Sequence, residues 1–229
     1  MNIKHKQIAK YGCIISLMLI FSLVLGFIFS DYLMLGSCVL FLGCVQTLFL
    51  SKGFWWEELF GITEALLVAI VALNANLYGT AIFTAFVYVP LSVFSLVNWK
   101  KHQYGGIVKI NKMDTQKSIL LVLILCISIV VFSFLLSLLP NQNLPILDTI
   151  SNMLDICGII LIALRYKEGW IFWILCSLAD FVIWGILFLQ DKSLNAIMMI
   201  IVSVVNIIIN MWGFWSFIKI RKQQELKFY

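Results

Sequence analysis

Long apolar runs alternate with short polar breaks along the whole chain, and that alternation predicts its elements. Runs of about 17–25 apolar residues suit helices that cross a bilayer. They fall near residues 11–29, 32–50, 58–75, 78–98, 118–139, 148–165, 170–189 and 195–218, which predicts eight transmembrane helices. Pro140 and Pro145 bracket an Asn-Gln-Asn loop and punctuate one break. Pro90 falls inside a run, beside Tyr88, where its missing N–H loosens the helix as a hinge or as a packing feature.

The charges provide an independent check on the number of spans, because lysine and arginine collect in cytoplasmic loops. With the N-terminus inside, the inner segments hold Lys4, Lys6 and Lys10, then Lys52, then Lys100, Lys101, Lys109, Lys112 and Lys117. Arg165 and Lys167 follow, and then Lys219, Arg221, Lys222 and Lys227. Of the 16 basic residues only Lys192 falls on the other side. Eight spans with both termini cytoplasmic is therefore the expected topology.

The pattern also repeats. LSK at 50–52 leads into FWWEELFG, and LRYK at 164–167 leads into EGWIFWIL. Each is followed by a further span that closes on Trp and Lys, at NWKK (98–101) and GFWSFIK (213–219). Two three-helix units result, 32–101 and 148–219, separated by residues 102–147, a basic loop and one linker helix. A single linking span gives both units the same orientation, hence a parallel repeat. Residues 1–31 supply an extra N-terminal helix and 220–229 a cytoplasmic tail.

Within the apolar runs the polar positions are few and patterned. In EGWIFWILCSLADFVIW (168–184), Trp170, Trp173, Ser177, Asp180 and Trp184 share one helical face. A charge at the bilayer centre costs roughly 2.5–3.5 kcal/mol on insertion scales, so Asp180 should face protein or a wet cavity. Aromatic walls around a buried acid suit a flat, polar, cationic ligand. Trp170 and Trp173 equally suit an interfacial aromatic belt. Glu64 lies inside its own run; Asp148, Asn152 and Asp155 share a face, as do Ser203, Asn206, Asn210 and Gly213. Such groups either line a substrate site between the units or bond helix to helix. One such bond would run from Asn206 or Asn210 to Asp180.

Composition narrows the class. The 229 residues are 62% hydrophobic and 12% charged, against about 25% charged in soluble domains, so the chain is a polytopic membrane protein. The net charge of +5 is spread over cytoplasmic loops, and no nucleic-acid surface is expected. The six cysteines lie in apolar runs without a CxxC pair and read as small hydrophobes. The first run is too long for a signal peptide and lacks a cleavage pattern, so it is expected to be retained. P-loop, HExxH and GxSxG patterns are missing and the two histidines lie in loops, which removes support for ATP-driven transport and hydrolase chemistry. No enzyme activity, metal or cofactor is expected.

Several short motifs resemble the PnuC-type vitamin and nucleoside transporters over residues 32–219. The most specific is Glu168-x-Trp170-x-x-Trp173 after a basic turn. Others are Phe60-Gly61 after Lys52-Gly53, Asn76-x-Tyr78-Gly79, Trp99-Lys100-Lys101, Leu147-Asp148 and Gly213-x-Trp215. The resemblance implies an all-α, SWEET-like 3+1+3 bundle with one extra N-terminal helix, in a bacterial plasma membrane. It implies facilitated uptake of nicotinamide riboside, or of thiamine, riboflavin or a deoxynucleoside, trapped by a separate cytoplasmic kinase. Assembly into a homo-oligomer such as a trimer is left open. Substrate-binding residues are expected at Trp170, Trp173, Ser177, Asp180, Glu64, Asp155, Asn206 and Asn210. Ser177 and Glu64 stand where many members carry Asn, and Asp155 and Asp180 where neutral residues are expected. The alternative of another class is a membrane scaffold or receptor that has kept the fold.

Overall fold

The computed structural model describes residues 14–24, 27–28, 33–104, 107–111 and 113–227. The basic segment 1–10 and both ends of the first apolar run lie outside the described residues. Those described form eight helices: α1 (Ile14–Val24), α2 (Leu33–Leu50), α3 (Glu58–Asn74), α4 (Tyr78–Lys101), α5 (Thr115–Ser137), α6 (Pro145–Ala163), α7 (Gly169–Asp191) and α8 (Leu194–Lys227). Five of these, α4 to α8, are long and apolar enough to cross a membrane. The 17 residues of α3 span about 25 Å, near the lower limit for crossing.

Among the described residues of this integral membrane protein the regular structure is helical but for one hairpin, in which Gln103–Tyr104 pairs antiparallel with Ile107–Val108, and one isolated bridge between Asn111 and Tyr166. Sequence periodicity offered no strand there, because two residues per strand are too few to show alternation. The last helix outruns its apolar stretch. Arg221 pairs with Glu225 one turn on at 2.7 Å, and Gln224 binds the Val108 carbonyl and the Ile110 N–H, which ties the polar tail to the hairpin region.

Six helices close a ring in the order α2, α3, α4, α6, α7, α8 and back to α2. The closure is symmetric, since the first helix of the triplet α2–α4 packs on the last of α6–α8, and the last of α2–α4 on the first of α6–α8. Turn geometry repeats the correspondence. Gly53 (φ 75°) and Arg165 (φ 66°) follow α2 and α6 with the same paired hydrogen bonds, Gly53 N–H to Leu50 O and Phe54 N–H to Phe49 O, Arg165 N–H to Ile162 O and Tyr166 N–H to Leu161 O. Asn76 and Lys192, at φ 55° and 51°, follow α3 and α7. α5 stands outside the ring against α6 and exposes Leu120, Leu123, Ile127 and Val130, as a lipid-facing helix does.

Two apolar clusters close the ring's ends. Leu50, Trp99, Ile159, Ile162, Trp170 and Phe217 fill the end that carries Lys52, Arg165 and Lys219. Val39, Leu40, Ala72, Trp184, Leu187, Met198 and Met199 fill the opposite end. Along α2, α7 and α8 the residues between these clusters are where the polar positions fall.

Candidate functional site

Polar side chains from all six ring helices line one cavity between the two apolar clusters. Its volume is about 160 Å³. α2 contributes Gln46 and Thr47, α3 Glu64, and α4 Thr80, Thr84 and Tyr88; α6 contributes Ser151, Asn152 and Asp155, α7 Trp173, Cys176, Ser177 and Asp180, and α8 Asn206 and Asn210. Glu64, Asp155 and Asp180 are half-buried and turn carboxylates toward a common space. Three acids so placed favour a cationic ligand, and Trp173 and Tyr88 place aromatic side chains in the same wall.

Seven of the eight expected residues, Trp173, Ser177, Asp180, Glu64, Asp155, Asn206 and Asn210, thus come together. Trp170 does not. It is fully enclosed, edge-on to Phe217 at 5.2 Å and to Trp173 at 5.5 Å between ring centroids, and its ring occupies the space left by Gly213 on α8. Neither a cavity wall nor an interfacial belt describes it. A three-residue offset turns it about 60° from Trp173, and the missing Cβ of Gly213 draws the ring into the helix interface.

The acids differ in their support. Ser151 Oγ donates to Asp180 Oδ1, and Cys176 Sγ donates to Asp180 Oδ2 at 3.7 Å. This replaces the expected bond from Asn206 or Asn210. Asn210 instead donates to Ser177 Oγ at 3.2 Å and the Trp173 carbonyl at 3.4 Å, while Ser177 Oγ donates to that same carbonyl at 2.8 Å. Asp155 lies beside the indole of Trp173. The Trp173 ring edge rests where a Cβ at Gly158 would stand.

Asp148, read from its spacing as a neighbour of Asp155, has a different task. Fully enclosed, it accepts from Thr80 Oγ1 at 2.6 Å, Thr80 N–H at 3.1 Å, Gln142 Nε2 at 2.7 Å and Asn152 Nδ2 at 2.8 Å, and so fastens α4 to α6. Gln46, Thr47, Ser151, Cys176 and the Thr80, Thr84, Tyr88 row were missed from the sequence. The row at i, i+4, i+8 was legible in principle. Pro90 sits just after a π-helical turn at Thr84–Tyr88, which re-aims this row; such turns concentrate at functional sites.

A ring of apolar helices around an acid-lined, aromatic-walled cavity defines a polytopic membrane transporter. Residues 33–219 match the family described as nicotinamide mononucleotide transporter, and the chain belongs to that family. It is 25% identical over 206 residues to the nicotinamide riboside transporter PnuC of Neisseria mucosa, covering 87% of this chain and 77% of the relative. It is 25% identical over 147 residues to the Haemophilus influenzae nicotinamide riboside transporter PnuC, covering 62% of this chain and 65% of the relative. The crystal structure of the vitamin B3 transporter PnuC shares the fold, with a TM-score of 0.75, 24% identity and 92% of each chain covered.

Proposed function

We propose that this chain carries nicotinamide riboside or a closely related vitamin nucleoside across the bacterial plasma membrane by facilitated diffusion. Cytoplasmic phosphorylation by a separate kinase then traps the substrate. The observation that carries this reading is the shared cavity, where Glu64, Asp155 and Asp180 surround a space walled by Trp173 and Tyr88. A pyridinium ring carries a permanent positive charge, and acids beside an aromatic face suit it. Thiamine, also a permanent cation, is the second reading, ahead of riboflavin and neutral deoxynucleosides. Family membership and the named functions of the relatives support transport over a scaffold or receptor role.

The topology belongs to the same proposal. Residues 32–101 and 148–219 form a parallel repeat in a 3+1+3 arrangement joined by the linker helix, with an added N-terminal span and both termini cytoplasmic. The matched left-handed turns and symmetric ring closure support it.

The test is a thermal-shift panel on purified protein with nicotinamide riboside, thiamine, riboflavin and deoxynucleosides. A ligand that binds only the folded state raises Tm in a concentration-dependent way. Nicotinamide riboside is expected to give the largest rise. A larger rise with a neutral nucleoside would overturn the substrate reading, and none with any of them would favour the scaffold.

A further inference from the structure

The two seams at which the triplets meet are built differently at the basic end of the ring. Where α4 meets α6, Trp99 Nε1–H donates to the Ile162 carbonyl at 2.8 Å and Asn98 Nδ2–H to the Ala163 carbonyl at 2.7 Å. Trp99 and Ile162 are fully enclosed, so water has no access to replace their bond. Where α2 meets α8, a bridge runs through the segment that follows the hairpin turn. Val108 N–H donates to the Gly53 carbonyl at 3.2 Å, in the turn after α2, and the Val108 carbonyl accepts from Gln224 Nε2 at 3.0 Å, in the tail of α8. Gln224 Oε1 accepts in turn from the Ile110 N–H at 3.1 Å. Beside this bridge Lys52 Nζ lies 5.1 Å from the ring centroid of Trp212 on α8. Gln224 and Lys52 are half-buried and Trp212 is exposed, so water can take over as partner to each.

The same segment plugs the ring from below. Val108 and Ile110 are buried in the apolar cluster that contains Trp99, Trp170 and Trp173. That cluster closes the basic end, and Trp173 belongs both to it and to the cavity wall.

A carrier whose site lies between two repeats opens to one side at a time, so bonds across at least one seam must break and re-form. Those that break are the ones water can replace. We infer that the Val108 bridge is the latch of a gate at the basic end: the α2–α8 seam parts there when Gln224 and Lys52 release, and the α4–α6 seam, held by Trp99, is the hinge. This rests on the transport reading and agrees with uncoupled movement, because half-exposed bonds of this kind open thermally with no ion or nucleotide to drive them.

The experiment uses Cys176, which is buried and lines the cavity, as the reporter of opening. The full chain, with its other five cysteines replaced by alanine, is placed in membrane vesicles whose outer face carries the C-terminal tail. A membrane-impermeant maleimide is then added without substrate. Gln224→Ala removes both side-chain bonds of the bridge and should speed Cys176 labelling about fivefold or more. Glu225→Gln, one position on and without a bond to Val108, should leave the rate unchanged. An unchanged rate in Gln224→Ala, an equal rise in Glu225→Gln, or the same rise with reagent on the opposite face overturns the latch.

A second arm locks the seam. Lys52→Cys and Trp212→Cys, in a chain with all six native cysteines replaced by alanine, are joined by a short reducible bifunctional thiol reagent. Cross-linking should abolish nicotinamide riboside counterflow, leave the ligand-induced rise in Tm, and be reversed by reductant. Undiminished counterflow in the fully cross-linked protein overturns the latch. A variant without counterflow before cross-linking bears on the transport reading, and the labelling alone then decides the latch.

Discussion

The triplets α2–α4 and α6–α8 share an order of helices and a set of turns, yet they hold their polar groups in different ways. In α6–α8 the cavity groups are mutually tied, Asn210 to Ser177, Ser177 to the Trp173 carbonyl, and Asp180 to Ser151 and Cys176. Two of its glycines face rigid partners, Gly158 the Trp173 ring and Gly213 the Trp170 ring. In α2–α4, Gly43 faces the flexible end of Glu64 and Gly61 that of Gln46, while Gly79 faces Asp148. A π-helical turn interrupts α4, whereas α8 runs continuously. The polar groups of α6–α8 are held in place by one another. Those of α2–α4 include two, Glu64 and Gln46, whose flexible ends fill the space beside a glycine.

The largest effect should come where the rigid triplet is packed most tightly. Trp170→Ala empties an enclosed aromatic site and should cost about 3–5 kcal/mol of stability, read as a large fall in Tm. Ligand affinity of the protein that remains folded should change little. A large affinity loss at unchanged Tm would return Trp170 to the site.

Trp173→Ala should weaken ligand binding about tenfold or more, since stacking on an aromatic ring contributes roughly 1–3 kcal/mol. Unchanged affinity in a folded variant would remove Trp173 from the ligand. The glycine pair separates the triplets directly. Gly158→Ala drives a methyl into the indole and should cost about 1–3 kcal/mol, shared between stability and affinity. Gly43→Ala meets only a carboxylate that can swing aside, and equal losses at both positions would erase the contrast.

Asp180→Asn retains size and hydrogen-bond acceptor while removing charge. It should lower affinity for a cationic ligand by about tenfold and spare a neutral one. A stability loss with unaltered ligand preference would make Asp180 a structural partner of Ser151. The smallest effect belongs to the turns. Lys192 holds a left-handed backbone conformation that costs about 1–2 kcal/mol for a residue with a Cβ, so Lys192→Gly should raise Tm slightly, and a fall would show that its side chain matters there.

Much of this was legible because membranes simplify sequence patterns. Hydropathy placed α2 to α7 near their observed ends, since backbone groups in lipid must be satisfied within each helix. Six polar residues singled out in the sequence line the common cavity because a polar side chain in an apolar run has few places to go. Trp170 was misplaced because its direction depends on Gly213, a partner 43 positions on that no periodicity reveals. The Thr80, Thr84, Tyr88 row, legible in principle at i, i+4, i+8, was passed over because two threonines and a tyrosine carry no charge that would mark them in an apolar run. Glu57 and Glu58 sit beside a turn and a Trp pair, where sequence reading expects solvated charge at the interface, and only packing shows them enclosed.

The central claim is that the cavity shared by the triplets carries a cationic vitamin nucleoside without energy coupling. Counterflow tests it most directly, with proteoliposomes loaded with unlabelled nicotinamide riboside, diluted into labelled substrate with no pH or ion gradient, and compared for wild type and Trp173→Ala. The account predicts a transient labelled overshoot in wild type that is strongly reduced in the variant. No overshoot in wild type until a pH gradient is imposed, or an undiminished overshoot in the folded variant, would contradict it.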